Sequence, residues 1–74
     1  MSKEEIFAQV YNLYNDDSSS PQDIDKVLGI GSCIRISKVI EKETNLLRSR
    51  GVEVSLSEIN KIRWAEVKKI INKI

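Results

Sequence analysis

Seventy-four residues with one cysteine, no histidine and a net charge of +1 describe a single small domain, residues 1–74, that lacks the side chains for an ordinary zinc site or an internal disulfide. The same inventory removes the commonest general base near neutral pH and leaves Cys33 without a neighbouring base to activate it, so no enzymatic activity, metal or cofactor is expected. Hydrophobic residues at 41% and charged residues at 31% suit a folded chain, no apolar run approaches the ~20 residues that cross a bilayer, and the opening MSKEEIF has no signal core, which predicts a cytoplasmic protein with no membrane contact.

The small net charge hides a polarity. Residues 1–25 carry −5 and the remainder +6, the distribution expected when one side of a protein meets phosphate and the other does not. A core this small barely offsets chain entropy, so a homodimer or a protein partner is a natural further source of stability.

In chain order, SKEEIFAQVYNLYND places Ile6, Phe7, Val10, Leu13 and Tyr14 at helical spacing. Ser2 followed by Glu5 is a capping-box signature, so a first helix is predicted here, with its aromatic residues in the core and Tyr11 at the edge of the stripe. DDSSS reads as a loop. A second helix then opens on Ser20 as N-cap and Pro21 in the first position, with Asp23 and Asp25 near the positive end of its dipole. Ile24, Val27 and Leu28 form its buried side, and Gly29 is expected to end it in the left-handed conformation.

The third predicted helix runs from Cys33 or Ile34 to Arg48, with Cys33 read as a small turn or core residue. At roughly 100° per residue, Ile36, Val39, Ile40, Leu46 and Leu47 share one apolar side. Arg35, Lys38, Lys42 and Asn45 gather in a separate strip that contains no acid, with Glu41 beside it. Cations and an amide are the residue types that contact phosphates and base edges in a major groove.

SPQDIDKVLGIGSCIRISKVIEKETNLLRSRG, residues 20–51, resembles the helix-turn-helix segment of small bacterial and phage DNA-binding proteins of the excisionase-like and winged-helix families. Leu28, Gly29 and Ile30 match the family's turn, Ile24 its first-helix core position, and Ile36 and Val39 its recognition-helix core positions. The resemblance implies that Arg35, Lys38 and Lys42, with Ser32 and Asn45, face DNA. Two positions depart from the pattern: the turn is one residue longer, a length that winged-helix proteins accept, and Asp25 stands where Ala is usual. A rival resemblance is the helix-hairpin-helix motif, whose GIG loop offers backbone amides to a phosphate; here that loop is Gly29, Ile30 and Gly31, with Arg35 where a small residue is expected.

Beyond Gly51 two assignments compete. In one, Val52, Val54 and Leu56 alternate along a strand, Ile62 and Trp64 lie on a returning strand, and the resulting wing precedes a final helix beginning near Trp64. In the other, Ser55 or Ser57 caps one long helix. The first is preferred, because a single helix would set Arg63 and Glu66 within the stripe of Leu56, Ile59, Val67, Ile70 and Ile74. Glu43, on the apolar side of the third helix, is predicted to pair with Arg63. Trp64 is expected to anchor the last helix to the core, and Ile70, Ile71 and Ile74 to form a homodimer contact.

Together these features predict a mainly α domain of three to four helices with a helix-turn-helix core, with or without a short β-hairpin wing before the last helix. The function expected is non-catalytic binding of double-stranded DNA by a transcriptional regulator or a recombination or architectural accessory factor of a phage or mobile element. The third helix would enter the major groove, and Arg48, Arg50 and Lys61 would touch flanking phosphates. The alternative is a protein-interaction module, such as a phage-encoded inhibitor of a host protein, which the low net charge favours.

Overall fold

The computed structural model of the chain describes residues 2–73 and contains four helices, α1 (Lys3–Tyr14), α2 (Pro21–Leu28), α3 (Ser32–Ser49) and α4 (Leu56–Asn72). Each begins where local chemistry supplies a partner for its free N–H groups. Ser2 accepts from the Glu5 N–H at 3.2 Å and its hydroxyl donates to the Glu5 carboxylate at 3.2 Å, which opens α1. Ahead of α2, the Ser20 N–H donates to the Asp23 carboxylate at 2.9 Å, and Pro21 occupies the first helical position.

The connection between α2 and α3 is three residues, Gly29 to Gly31. Gly29 does not take the left-handed conformation expected of it: φ is 113° and ψ 155°, a region open essentially to glycine alone. The left-handed residue is Gly31, at φ 85° and ψ −2°, which serves as the N-cap of α3 and has no side chain with which to cap it. Asp25 takes over that role from α2. Its carboxylate accepts from the Gly31 N–H at 3.2 Å and the Cys33 N–H at 2.9 Å. Asp25 therefore holds the turn and the start of α3 together, and its negative charge sits at the positive end of the α3 dipole.

Residues 52–64 do not form a hairpin, and there is no strand among the described residues. The C-terminus of α3 closes through the Gly51 N–H on the Arg48 carbonyl and the Val52 N–H on the Leu47 carbonyl, both at 3.0 Å. Ser55 then accepts from the Glu58 N–H at 3.3 Å and starts α4. With Val52 used by one helix end and Ser55 by the other, too little chain remains between them for strand pairing. The final helix accordingly begins at Leu56 rather than near Trp64.

One core joins the four helices, built from Val10, Ile24, Leu28, Ile36, Val67, Ile70 and Ile71, with Phe7, Tyr14, Val27, Ile40 and Trp64 packed partly buried around it. Trp64 anchors α4 as expected, its ring centroid lying 5.4 Å from Phe7, 5.4 Å from Tyr11 and 5.5 Å from Tyr14. Ile70 and Ile71 are interior to the chain's own core, which removes them from the homodimer contact predicted for them, while Ile74 lies outside the described residues. Leu46, expected inward, is exposed, and so is Ile30.

The polar residues that argued against a single α4 find partners, Arg63 on α1 and within α4 and Glu66 on α3, although the buried Arg63 Nε has no hydrogen-bond acceptor among the described residues. Arg63 lays its guanidinium over the Tyr14 ring, 5.1 Å from the centroid, and donates from Nη1 to the Asn60 Oδ1 at 2.8 Å. Glu43 is exposed and forms no pair with it, because Arg63 is turned toward α1. Glu66 is buried and paired with Arg35.

Replacing Asp25 by Ala should cost about 1–2 kcal/mol in urea unfolding, the usual loss when a helix cap is removed, with the midpoint shifted and the slope unchanged. Burial, and after it the neighbouring Cys33, push the Tyr14 phenol up from 10.0 to about 12, partly opposed by Arg63. The folded chain thus holds this proton more tightly than the unfolded chain. Its contribution to stability is complete below pH 10.0 and is lost as the pH rises through about 12. In a Tyr11→Phe background, ultraviolet titration of phenolate should show Tyr14 ionising near that value, and Tyr14→Phe should flatten the loss of stability across the same window.

Candidate nucleic-acid interface

α3 turns Ile36 fully inward and half-buries Cys33, Val39, Ile40 and Leu47, so the helical period sends Ile34, Lys38 and Asn45 to the opposite side. Lys42 and Glu41 flank that line, and all five are exposed. Neither Lys38 nor Lys42 forms an ion pair among the described residues. Ile34, Arg35, Lys38, Val39 and Lys42, together with Gly31, line a shallow groove of about 370 Å³ along the outside of the helix.

Arg35 differs from its neighbours in the strip. Its Nε donates to Glu66 Oε1 at 3.0 Å, and Glu66 is only 5% exposed. A carboxylate at the α3–α4 contact loses its hydration and needs a cation, which Arg35 supplies from the margin of α3. The arginine side chain remains about half exposed, and Nε is one of five guanidinium donors, so the residue is committed to the fold on one edge and open to solvent on the other.

The remaining predicted site residues fall in three places. Ser32 is buried at the start of α3, near the Gly29 backbone, and is unavailable to a ligand, because it lies on the inward side of the helix with Ile36. Arg48 and Arg50 are exposed at the far end of α3 and on its closing turn. Lys61 belongs to a different surface: it sits 3.7 Å from Glu58 and lines a groove on α4 with Leu56, Asn60, Trp64 and Lys68. The structure therefore brings Arg35, Lys38 and Lys42 to one groove with Asn45 farther along the same face, and does not bring Lys61 to it.

Residue type alone does not single out Ile34. It falls within roughly 20° of the cationic strip on the helical wheel, so its exposure was readable from the same projection, but an isoleucine at that place invites assignment to the core. No group of three or more histidine, cysteine, aspartate or glutamate side chains is placed to hold a metal among the described residues, and none of their helices is long and apolar enough to cross a membrane. No family model, curated protein or solved structure compared with the chain matches it.

The cations of α3 should separate cleanly by stability. Arg35→Ala leaves the buried Glu66 carboxylate without its donor and should cost about 1–3 kcal/mol, whereas Lys38→Ala and Lys42→Ala should each stay within about 0.5 kcal/mol of the parent, all read by urea unfolding.

Proposed function

We propose that this chain is a small non-catalytic DNA-binding protein that lays the outer face of α3 in a major groove and serves as a transcriptional regulator or a recombination or architectural accessory factor. The observation that carries the reading is the exposed line of Lys38, Lys42 and Asn45, in which neither lysine forms an ion pair among the described residues while Arg35 is drawn into one. Two lysines suit phosphates, and an asparagine suits the paired donor and acceptor of an adenine edge. From Ile34 to Lys42 the helix advances roughly 12 Å, about the width of the groove it would occupy.

The three-residue connection between α2 and α3 has the length of a helix-turn-helix joint, which supports the resemblance to phage and mobile-element proteins. A protein of that kind would act in the cytoplasm, where the DNA is. In this reading Arg48 and Arg50 reach phosphates beyond the groove, and Arg35 adds the guanidinium edge not spent on Glu66. Ser32 and Lys61 have no part in it. A second copy of the chain would increase the number of phosphates reached, through a surface other than Ile70 and Ile71.

A second reading, as a protein-interaction module or an inhibitor of a host protein, is favoured by one observation. The α4 groove of about 750 Å³ combines Leu56, Trp64 and Ala65 with Lys61 and Lys68, and Leu56 and Tyr11 are exposed. Apolar surface with an aromatic anchor is what a protein partner would cover.

Titration of a labelled duplex against salt distinguishes the two. On the DNA reading, log K falls linearly with log salt, and the Lys38→Ala, Lys42→Ala double variant should reduce the slope by about 2, close to 0.9 for each phosphate no longer neutralised. No duplex binding at low salt, with one stoichiometric protein retained from a host extract through the α4 groove, would exclude it.

A further inference from the structure

Two isoleucines stand in water near the start of α3. Ile30, between the two glycines of the turn, is 102% exposed, and Ile34, in the first turn of the helix, is 60% exposed. Neither belongs to the core or to the partly buried shell around it. The turn does not require an apolar side chain at either place, since its geometry comes from the glycines and the Asp25 carboxylate.

Ile34 also helps to line the groove that contains Lys38 and Lys42. A Cβ placed on Gly31 would meet nothing within 4 Å, so that end of the groove is open to an incoming molecule. Along the outer line of the helix, Ile34 in the first turn precedes Lys38 and Lys42 in the next two, with Arg35 beside Ile34 at the edge of the groove and engaged by Glu66. A major groove at A·T pairs has the complementary order, with thymine C5-methyl groups on its floor and phosphates along its walls.

We propose that Ile34, with Ile30 at the apex of the turn, packs on thymine methyl groups and biases the protein toward A·T-containing steps. This rests on the DNA-binding reading and adds to it a determinant of sequence preference made of side chains that carry no charge. Lys38 and Lys42 supply affinity for any duplex, whereas the isoleucines distinguish between duplexes.

The test compares two labelled duplexes, one of alternating A·T pairs and one in which deoxyuridine replaces every thymidine. The replacement removes the C5 methyl and retains the pairing groups and phosphates. Wild-type protein should bind the thymine duplex about threefold to fivefold more tightly for each methyl covered, the factor that follows from burying one methyl-sized group. Ile34→Ala, with its fold checked by circular dichroism, should lose most of that preference and keep the salt slope, because no charge has changed.

Equal affinity of wild-type protein for the two duplexes, with a normal salt slope, would overturn the proposal and leave the DNA reading standing. Absence of binding to either duplex at low salt would overturn both. Ile34-dependent sedimentation with phosphatidylserine vesicles, without discrimination between thymine and uracil, would assign the exposed isoleucines to a lipid surface and equally overturn it. Equal wild-type affinity for the two duplexes overturns the proposal even if Ile34→Ala fails to fold.

Discussion

A carboxylate buried between α3 and α4 needs a cation within reach, and Arg35 meets that need for Glu66. The consequence extends in both directions along the chain. Because the charge is answered across the helix contact, α4 can run unbroken from Leu56 to Asn72 and seat Val67, Ile70 and Ile71 in the core. Because the answer comes from α3, that helix is held in one rotation, with Ile36 inward and Lys38 outward. A lysine in place of Arg35 would lack the second edge of the guanidinium, by which one residue can meet a buried carboxylate and still face solvent.

Asp25 extends the same logic to the other end of α3. The helix starts on a glycine in the left-handed conformation, and its first N–H groups would point into solvent without a side-chain cap. A carboxylate from the preceding helix accepts two of the N–H groups at this junction, so α2 and α3 are joined by hydrogen bonds as well as by the packing of Leu28 and Ile36. The direction of α3's outer face is thereby tied to α2 rather than left to a three-residue connection rich in glycine.

The molecule consequently has two unlike surfaces. Along α3, exposed Lys38 and Lys42 stand between Ile34 and Asn45 on one helix face. Along α4, Leu56, Trp64 and Ala65 give an apolar groove edged by Lys61 and Lys68, and the exposed Tyr11 of α1 packs on Trp64. The first suits a ligand that is anionic at its margins, and the second suits apolar surface. Polarity in the linear charge distribution belongs mostly to the contrast between the acidic α1–α2 segment and the basic helices that follow.

The sequence by itself determined the elements whose causes are local. Ser2 with Glu5, Ser20 with Pro21, and the three- and four-residue spacing of Ile24, Val27 and Leu28 are contained within a turn or two of helix, and α1, α2 and α3 stand close to where those signals placed them. The exposed strip of Lys38, Lys42 and Asn45 was legible for the same reason, since one helix carries both the core side and its opposite. What only the tertiary structure decided were contacts between residues far apart in the chain. Arg63 and Glu66 read as obstacles to a single α4 because their partners, Tyr14 and Arg35, lie on other helices. Ser32, Leu46 and Ile70 changed sides for a related reason: whether a residue is buried depends on which neighbour covers it, and helical periodicity specifies a face but not the surface that will meet it.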